Sequence, residues 1–307
     1  MKASAPGKII LFGEHAVVYG RPALAVPVLQ VHADVEILDS SRPGIWINAP
    51  DIDLHSELNS LPSDHPLAAV IHNLFFTLGI DPFPNLQINI SSTIPVASGL
   101  GSGAAVSVAM IRTLSSFLDH PLSNERVNSI AYEIEKLYHG TPSGIDNTVV
   151  TYAKAVYFVH GLPTEIFKVR KPFTIVIGDT GISAPTKESV GDVRKLWESD
   201  KSKWENIFDQ IGEIAKSARE EIEVGNWKKL GELMNQNHSL LQQLTVSSPE
   251  LNKLVEAARK AGALGAKLSG GGRGGNMIAL VKPDIAESVS SSLKEAGAKR
   301  VIITKVE

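Results

Sequence analysis

Five of the six residues at 270–275 are glycine, in the run Gly270-Gly271-Gly272-Arg273-Gly274-Gly275. A hairpin turn needs far fewer. Glycine takes positive φ without steric cost and lets bare backbone approach a neighbour or a ligand. This run lies between two strand-like segments, the second at 276–281. A second small-residue stretch, Pro95-Val96-Ala97-Ser98-Gly99-Leu100-Gly101-Ser102-Gly103-Ala104-Ala105, follows the alternating run Leu86-Gln87-Ile88-Asn89-Ile90 and leads into the apolar segment 104–114. A half-buried strand, a glycine loop and a buried helix are implied. The helix start offers unpaired N–H groups and the positive end of its dipole, which suits an anion, phosphate foremost. The pattern is neither a Walker A loop nor a G-x-G-x-x-G fingerprint. On pattern alone a tight strand–helix turn stays open, and Arg273 is either an anion contact or a solvated loop residue.

Composition narrows the class. The 307 residues suggest two domains or one large one. Hydrophobic residues at 43% and charged residues at 21% are ordinary for a globular chain, which excludes collagen, a coiled-coil rod and wholesale disorder. Cysteine is absent, so disulfides, thiolate nucleophiles and Cys-type zinc sites are absent too. A net charge of −3 supplies no basic field for nucleic acid. No apolar run reaches the ~18 residues of a membrane span. The first residues, Met1-Lys2-Ala3-Ser4-Ala5-Pro6, carry no apolar core behind the lysine, so no targeting segment is expected and the cytosol is the expected compartment.

The elements mix throughout. Ile9-Ile10-Leu11-Phe12 reads as a strand between Gly7 and Gly13. Ser123 is placed to cap a helix whose apolar positions Val127, Ile130, Ala131, Ile134, Leu137 and Tyr138 follow the 3.6 period. A proline-bearing connector at 163–172 puts a domain boundary near 165, giving domains 1–165 and 166–307. Beyond it come a strand at 173–177, a helix with the stripe Trp204, Ile207, Ile211, Ile214, Ala218 and Ile222, a helix start at Ser248-Pro249-Glu250, and strands at 276–281 and 300–306. The class is α+β, with two mixed layers side by side.

Two further segments carry chemistry-bearing side chains. In Glu135-Lys136-Leu137-Tyr138-His139-Gly140-Thr141-Pro142-Ser143-Gly144-Ile145-Asp146-Asn147 a helix ends near Gly140 and a turn carries Asp146 onward. Asp is a common turn residue. Glu135 and Glu133 sit about equally far from the centre of the apolar stripe, and periodicity does not choose between them. In Pro6-Gly7-Lys8-Ile9-Ile10-Leu11-Phe12-Gly13-Glu14-His15, Lys8, Glu14 and His15 flank an apolar strand, where charged residues are usually rim residues.

Taken in order, PGKIILFGEHAVVYG at 6–20, IPVASGLGSGAA at 94–105, HGTPSGIDN at 139–147, GDTGISAPTKESV at 178–190 and GALGAKLSGGGRGG at 262–275 resemble the GHMP kinase superfamily over nearly the whole chain. GEHAVVYG and HGTPSGIDN are most similar to its mevalonate-phosphorylating branch. The resemblance implies a two-domain fold, with an N-terminal domain like ribosomal protein S5 domain 2, a ferredoxin-like C-terminal domain and an active site in the cleft between them. It implies transfer of phosphate from ATP to the C5 hydroxyl of mevalonate, with Mg²⁺. Asp146 matches the catalytic aspartate and Lys8 the lysine paired with it. Glu135 matches the magnesium-binding glutamate, with Ser102 as the second ligand. Glu14, His15, Ser143, Gly144, Tyr152 and Lys8 match positions lining the substrate site, and Thr186 a threonine near the transferred phosphate. Pro95, Ser98, Gly99, Leu100, Gly101, Ser102, Gly103 and Ala104 match the nucleotide phosphate loop. The partners implied are small molecules, with a homodimer allowed and neither nucleic acid nor membrane.

Two departures stand out. The family loop usually continues Gly-Leu-Gly-Ser-Ser, and here the second serine is Gly103, so either Ser102 supplies the hydroxyl or water fills its place. The late loop often reads Gly-Ala-Gly-Gly-Gly-Gly, and here Arg273 interrupts it, either pointing away from the phosphates or partly replacing a lost contact. The rival readings are a kinase of the same fold acting on phosphomevalonate, on another position of mevalonate or on a sugar, and a non-catalytic sensor of that fold. Retention of Lys8, Glu135 and Asp146 speaks against the sensor; Gly103 speaks for it.

Overall fold

The computed structural model describes residues 1–95, 98–139, 143–183 and 186–307. In chain order the first half carries β1 (Lys2–Phe12), β2 (Ala23–Asp39), β3 (Ile45–Ala49), β4 (Leu54–Glu57), α1 (Pro66–Leu78), β5 (Leu86–Ser92), α2 (Ser102–Phe117), α3 (Asn124–His139) and α4 (Ile145–Tyr152). The second carries β6 (Val156–Phe158), β7 (Glu165–Ile166), β8 (Phe173–Asp179), α5 (Thr186–Ser199), α6 (Lys201–Val224), α7 (Trp227–Gln243), α8 (Pro249–Lys260), β9 (Gly265–Ser269), β10 (Asn276–Val281), α9 (Ala286–Glu295) and β11 (Arg300–Val306). Two compact units result. One comprises residues 1–7, 31–96 and 100–153, the other 8–30, 97–99 and 154–307. The division is therefore not a single cut near 165: β1 and β2 each begin in one unit and end in the other.

In the first unit β3 pairs antiparallel with β4 and parallel with β5, and β5 pairs antiparallel with residues 33–39 of β2. The alternation read at 86–90 is real: Leu86, Ile88 and Ile90 are buried, Gln87 and Asn89 half-buried. Helix α2 buries residues on nearly every side, as its uninterrupted apolar sequence requires, and packs against α1, α3 and α4. Of its buried hydroxyls, Thr113 donates to the carbonyls of Ala109 at 2.7 Å and Val35 at 3.3 Å, and Ser115 to that of Arg112 at 3.2 Å. Ser123 caps α3 as expected, its Oγ accepting from Arg126 N–H at 3.4 Å. Leu137 departs from the expected stripe and is 66% exposed, because it lies at the edge of the arc set by Val127, Ala131 and Ile134; the side chain of Tyr138 lies outside the described residues.

In the second unit four antiparallel strands lie in the order β11-β8-β10-β9. With α5–α8 between β8 and β9 and α9 between β10 and β11, this is the split β-α-β-β-α-β arrangement expected of a ferredoxin-like domain. The short β6 pairs with residues 23–25 of β2 and with β7. The core beneath the sheet joins Val176, Leu268, Met277 and Ala279 to Phe208, Ile211, Leu241, Leu254 and Val289. Ser248 caps α8, accepting from Leu251 N–H at 3.2 Å.

The edge strand β9 has a particular finish. An edge presents unpaired N–H and C=O groups that something must satisfy. Here helix side chains do so: Asn235 Oδ1 accepts from Ala266 N–H at 3.1 Å, His238 Nδ1 accepts from Leu268 N–H at 3.3 Å, and Arg259 donates to the Ala266 carbonyl at 2.7 Å. Helix α7 comes close enough because Gly231 and Gly265 touch through bare backbone; a Cβ on Gly265 would lie 2.0 Å from the Gly231 carbonyl oxygen.

Candidate active site

Within the second unit, the segment after β1 is fixed against the glycine loop at 270–275. Glu14 and Lys267 form an ion pair with side-chain exposures of 1% and 0%. Lys267 Nζ also donates to the Leu268 carbonyl at 2.7 Å. Burial pushes the Glu14 carboxyl up and the Lys267 ammonium down, and the pair's mutual attraction opposes both shifts. Ser269 Oγ donates to the Ile10 carbonyl at 2.7 Å, a second tie between the loop's start and β1.

His15 follows with φ +61°, a strained value for a residue with a side chain. It is buried, and its Nε2 lies 3.0 Å from the Gly271 carbonyl oxygen. A carbonyl only accepts, so Nε2 carries the proton and Nδ1 is left as an acceptor. Nδ1 has no hydrogen-bond partner among the described residues. Burial lowers the ring's pKa to about 4, with Arg273 and Lys267 adding to the effect, so the imidazole is neutral near pH 7. The site thus offers one hidden acceptor on a rigid, uncharged ring.

The glycine loop owes its composition to its neighbours. A Cβ on Gly272, at φ +76°, would lie 2.0 Å from the Val246 carbonyl oxygen, and one on Gly274 would lie 2.5 Å from that of Ile182. Gly271 faces the start of α5, where Thr186 is exposed; its added Cβ would meet Thr186 Oγ1 at 3.2 Å. Arg273 holds φ +61°, donates its N–H to the Val246 carbonyl at 2.7 Å, and pairs through its guanidinium with Asp192 of α5 at 2.5 Å. Its side chain therefore ties the loop to α5. Lys8 is buried on β1, Ser98 is buried and Gly99 exposed.

The first unit holds the rest. Gly101, at φ +77°, is the N-cap of α2 and Ser102 its first residue; Pro95 and Ser102 are half-buried, Leu100 and Ala104 buried. Gly103 is exposed, with nothing within 4 Å of an added Cβ. Gly144, at φ +82°, is the N-cap of α4, where the Tyr132 ring would lie 3.4 Å from a Cβ. Ser143 Oγ accepts from Ile145 N–H at 3.3 Å, and Asp146 is the acidic residue of the first turn, where the helix dipole favours a carboxylate. Asn147 fastens α4 to α3 by donating to Asn128 Oδ1 at 2.7 Å. Of the two glutamates left open by periodicity, Glu133 is exposed and paired with Lys136 at 2.8 Å, whereas Glu135 is half-buried. Tyr152 ends α4, and its hydroxyl is hydrogen-bonded to Glu125 at the start of α3. Val96, Ala97, Gly140, Thr141, Pro142, Ala184 and Pro185 of the motifs lie outside the described residues, and Lys8 and Asp146 fall in different units.

Comparison with known proteins gives this arrangement a family. Residues 66–154 match the description "GHMP kinases N terminal domain" and residues 218–299 match "GHMP kinases C terminal". The chain belongs to the GHMP kinase family. A relative from Pyrococcus abyssi, a mevalonate kinase, is 39% identical over 98% of this chain and 94% of its own. Another mevalonate kinase, from Saccharolobus solfataricus, is 34% identical over 91% and 90%. Among solved structures, the L. major mevalonate kinase in complex with R-mevalonate superposes with a TM-score of 0.86 at 31% identity, covering 100% of this chain and 96% of that one.

Two residues of this GHMP kinase were given no role by the sequence. Lys267 is one charge in an apolar strand, and its partner is 253 residues away. Asn276 directly follows the glycine loop and reaches a backbone carbonyl 178 residues away. No spacing rule connects positions so remote.

The buried histidines give the fold a defined acid response. His238, 2% exposed, also has its pKa lowered to about 4 by burial, while the unfolded chain titrates near 6.5. The unfolded state therefore binds more protons as pH falls from 6.5 toward 4. Stability is full above 6.5 and is lost across that window by up to about 1.4 kcal/mol per pH unit for each of His15 and His238. Urea unfolding of His238→Gln at pH 7, 6 and 5 is expected to show lower stability at pH 7 but a shallower fall with acid than the wild type; equal slopes would refute this account of His238.

Proposed function

We propose that this GHMP kinase is an ATP:mevalonate 5-phosphotransferase. The observation that carries this is the neutral, buried His15 with one unmet acceptor, set beside a glycine loop in a chain closely related to mevalonate kinases. A neutral ring beside the loop suits an uncharged hydroxyl of a small alcohol better than a carboxylate or phosphate.

In the step we infer, the C5 hydroxyl oxygen attacks the terminal phosphorus of ATP, the bond to the ADP oxygen breaks, and the hydroxyl proton passes to a base. Asp146 is assigned as that base or as the group that orients the hydroxyl, with Lys8 as its partner. Glu14, Ser143, Gly144 and Tyr152 are assigned to the substrate side. In this structure the hydroxyl of Tyr152 is engaged with Glu125 and the carboxyl of Glu14 with Lys267. The backbone of 98–104 is assigned to the phosphates and Thr186 to the phosphate in transfer. Phosphoryl transfer is chiefly positioning and charge stabilisation, which this set supplies.

Mg²⁺ belongs to the same proposal. Glu135 and Ser102 offer a carboxylate and a hydroxyl, the hard oxygen donors this ion prefers while it keeps several waters. When bound, it would neutralise charge on the phosphates. The same reading takes the enzyme to be cytosolic and allows a homodimer; among the described residues no helix is long and apolar enough to cross a membrane.

ADP release with ATP, Mg²⁺ and R-mevalonate, compared with phosphomevalonate and galactose, tests the reading. Mevalonate is expected to be the working substrate, phosphorylated at C5, and Asp146→Asn to lower kcat by about 100-fold or more. Tight binding of an alcohol with no turnover would move the assignment to a sensor. A second variant addresses the missing hydroxyl. Gly103 lies in the first turn of α2 with open space at its Cβ, so Gly103→Ser is expected to fold normally and lower KM for ATP. An unchanged or higher KM would show that this position does not contribute to nucleotide binding.

A further inference from the structure

Asn276 is the first residue of β10, 2% exposed, and its register is held on both sides, opposite Asp179 and Ser269. The preceding Gly275 is equally fixed: its carbonyl accepts from Thr180 N–H at 2.9 Å and from Thr180 Oγ1 at 3.0 Å, and its N–H donates to the Ile182 carbonyl at 2.9 Å. From this rigid base Asn276 Nδ2 donates to the backbone carbonyl of Ser98. Its Oδ1 is buried and has no hydrogen-bond partner among the described residues. A buried amide that gives its donor to a distant backbone and leaves its acceptor unmet asks for a reason beyond packing.

Peptide geometry supplies one. In a trans peptide the C=O and the following N–H point in opposite directions. Holding the Ser98 carbonyl toward Asn276 therefore turns the Gly99 N–H away from it. Gly99 is exposed, at φ +78°, and a glycine backbone accepts either orientation of the peptide before it, so its own conformation does not fix the choice. An anion at this loop is stabilised by an N–H that faces it and repelled by a carbonyl that does.

We propose that Asn276 is a positioning residue for the nucleotide: its amide holds the Ser98 carbonyl back, so that the Gly99 N–H is presented to a phosphate. This rests on the assignment of 98–104 to the ATP phosphates made above. It also gives the two glycine-rich segments a common anchor, since Asn276 ends one and orients the entry to the other.

The test is calorimetric titration of wild type, Asn276→Asp and Asn276→Ala with AMPPNP and Mg²⁺, with KM for ATP and for mevalonate measured in parallel. Asn276→Asp keeps the shape, removes the donor and sets a carboxylate against the Ser98 carbonyl; a flipped peptide relieves this at the cost of the N–H. The nucleotide Kd is expected to rise about tenfold or more for Asn276→Asp and about threefold for Asn276→Ala. The mevalonate KM should stay within about twofold of wild type, a split that a merely structural lesion would not give. If Asn276→Asp does not fold, Asn276→Ala carries the same test. Nucleotide Kd values within about twofold of wild type for the folded variants would overturn the proposal. Failure of the wild type to bind AMPPNP would instead overturn the phosphate-loop assignment, and this proposal with it.

Discussion

Glu14 and Lys267 meet where neither can be hydrated, and the second unit is built around keeping them together. An isolated charge at either position would carry a desolvation cost of several kcal/mol. The pair offsets part of that cost, and only while the segment 8–30 and the strand β9 hold their mutual register. Everything next to the pair depends on that register. His15 follows Glu14 directly and meets Gly271; Ser269 follows Lys267 by two residues and meets Ile10. The strained backbone of His15 and the neutral state of its ring are consequences of where the pair puts it.

The edge of the sheet supports the same point from the other side. Strand β9 lacks an outer neighbour, so its register is not secured by a ladder on both sides. Asn235, His238 and Arg259 take the place of that missing strand. His238 can do so only while neutral, because a protonated Nδ1 would face the Leu268 N–H donor to donor. Asn252 stabilises the required tautomer by accepting from Nε2 at 3.2 Å. One strand thus carries Lys267 and leads into the glycine loop, and its position is set by α7, α8 and the segment after β1.

Much of the fold was legible because local chemistry decided it. Strands at 86–90, 173–177, 276–281 and 300–306 show alternation or short apolar runs, and Ser123 and Ser248 cap helices with the residues expected to do so. Strand β2 had no expectation: its 17 residues run through Pro27, which has no N–H to give a ladder. Leu137 was misplaced because a stripe read from a wheel does not show where its edge meets solvent. The site divides in the same way. Glycine loops announce themselves, whereas the roles of Asp146, Glu135 and Lys8 came from family resemblance. Lys267 and Asn276 stayed invisible because their partners are set by tertiary structure. Arg273 could be read either way until Asp192 of α5 took its guanidinium.

The claim that the buried ion pair sets the register of this unit is tested most directly by a double-mutant cycle on stability with Glu14→Leu, Lys267→Met and the two combined, followed by urea unfolding at pH 7.5. Each single change leaves a buried charge without its partner and is predicted to cost about 3–5 kcal/mol, while the double variant recovers much of the loss. Single changes that each cost under about 1 kcal/mol and simply add would contradict the account.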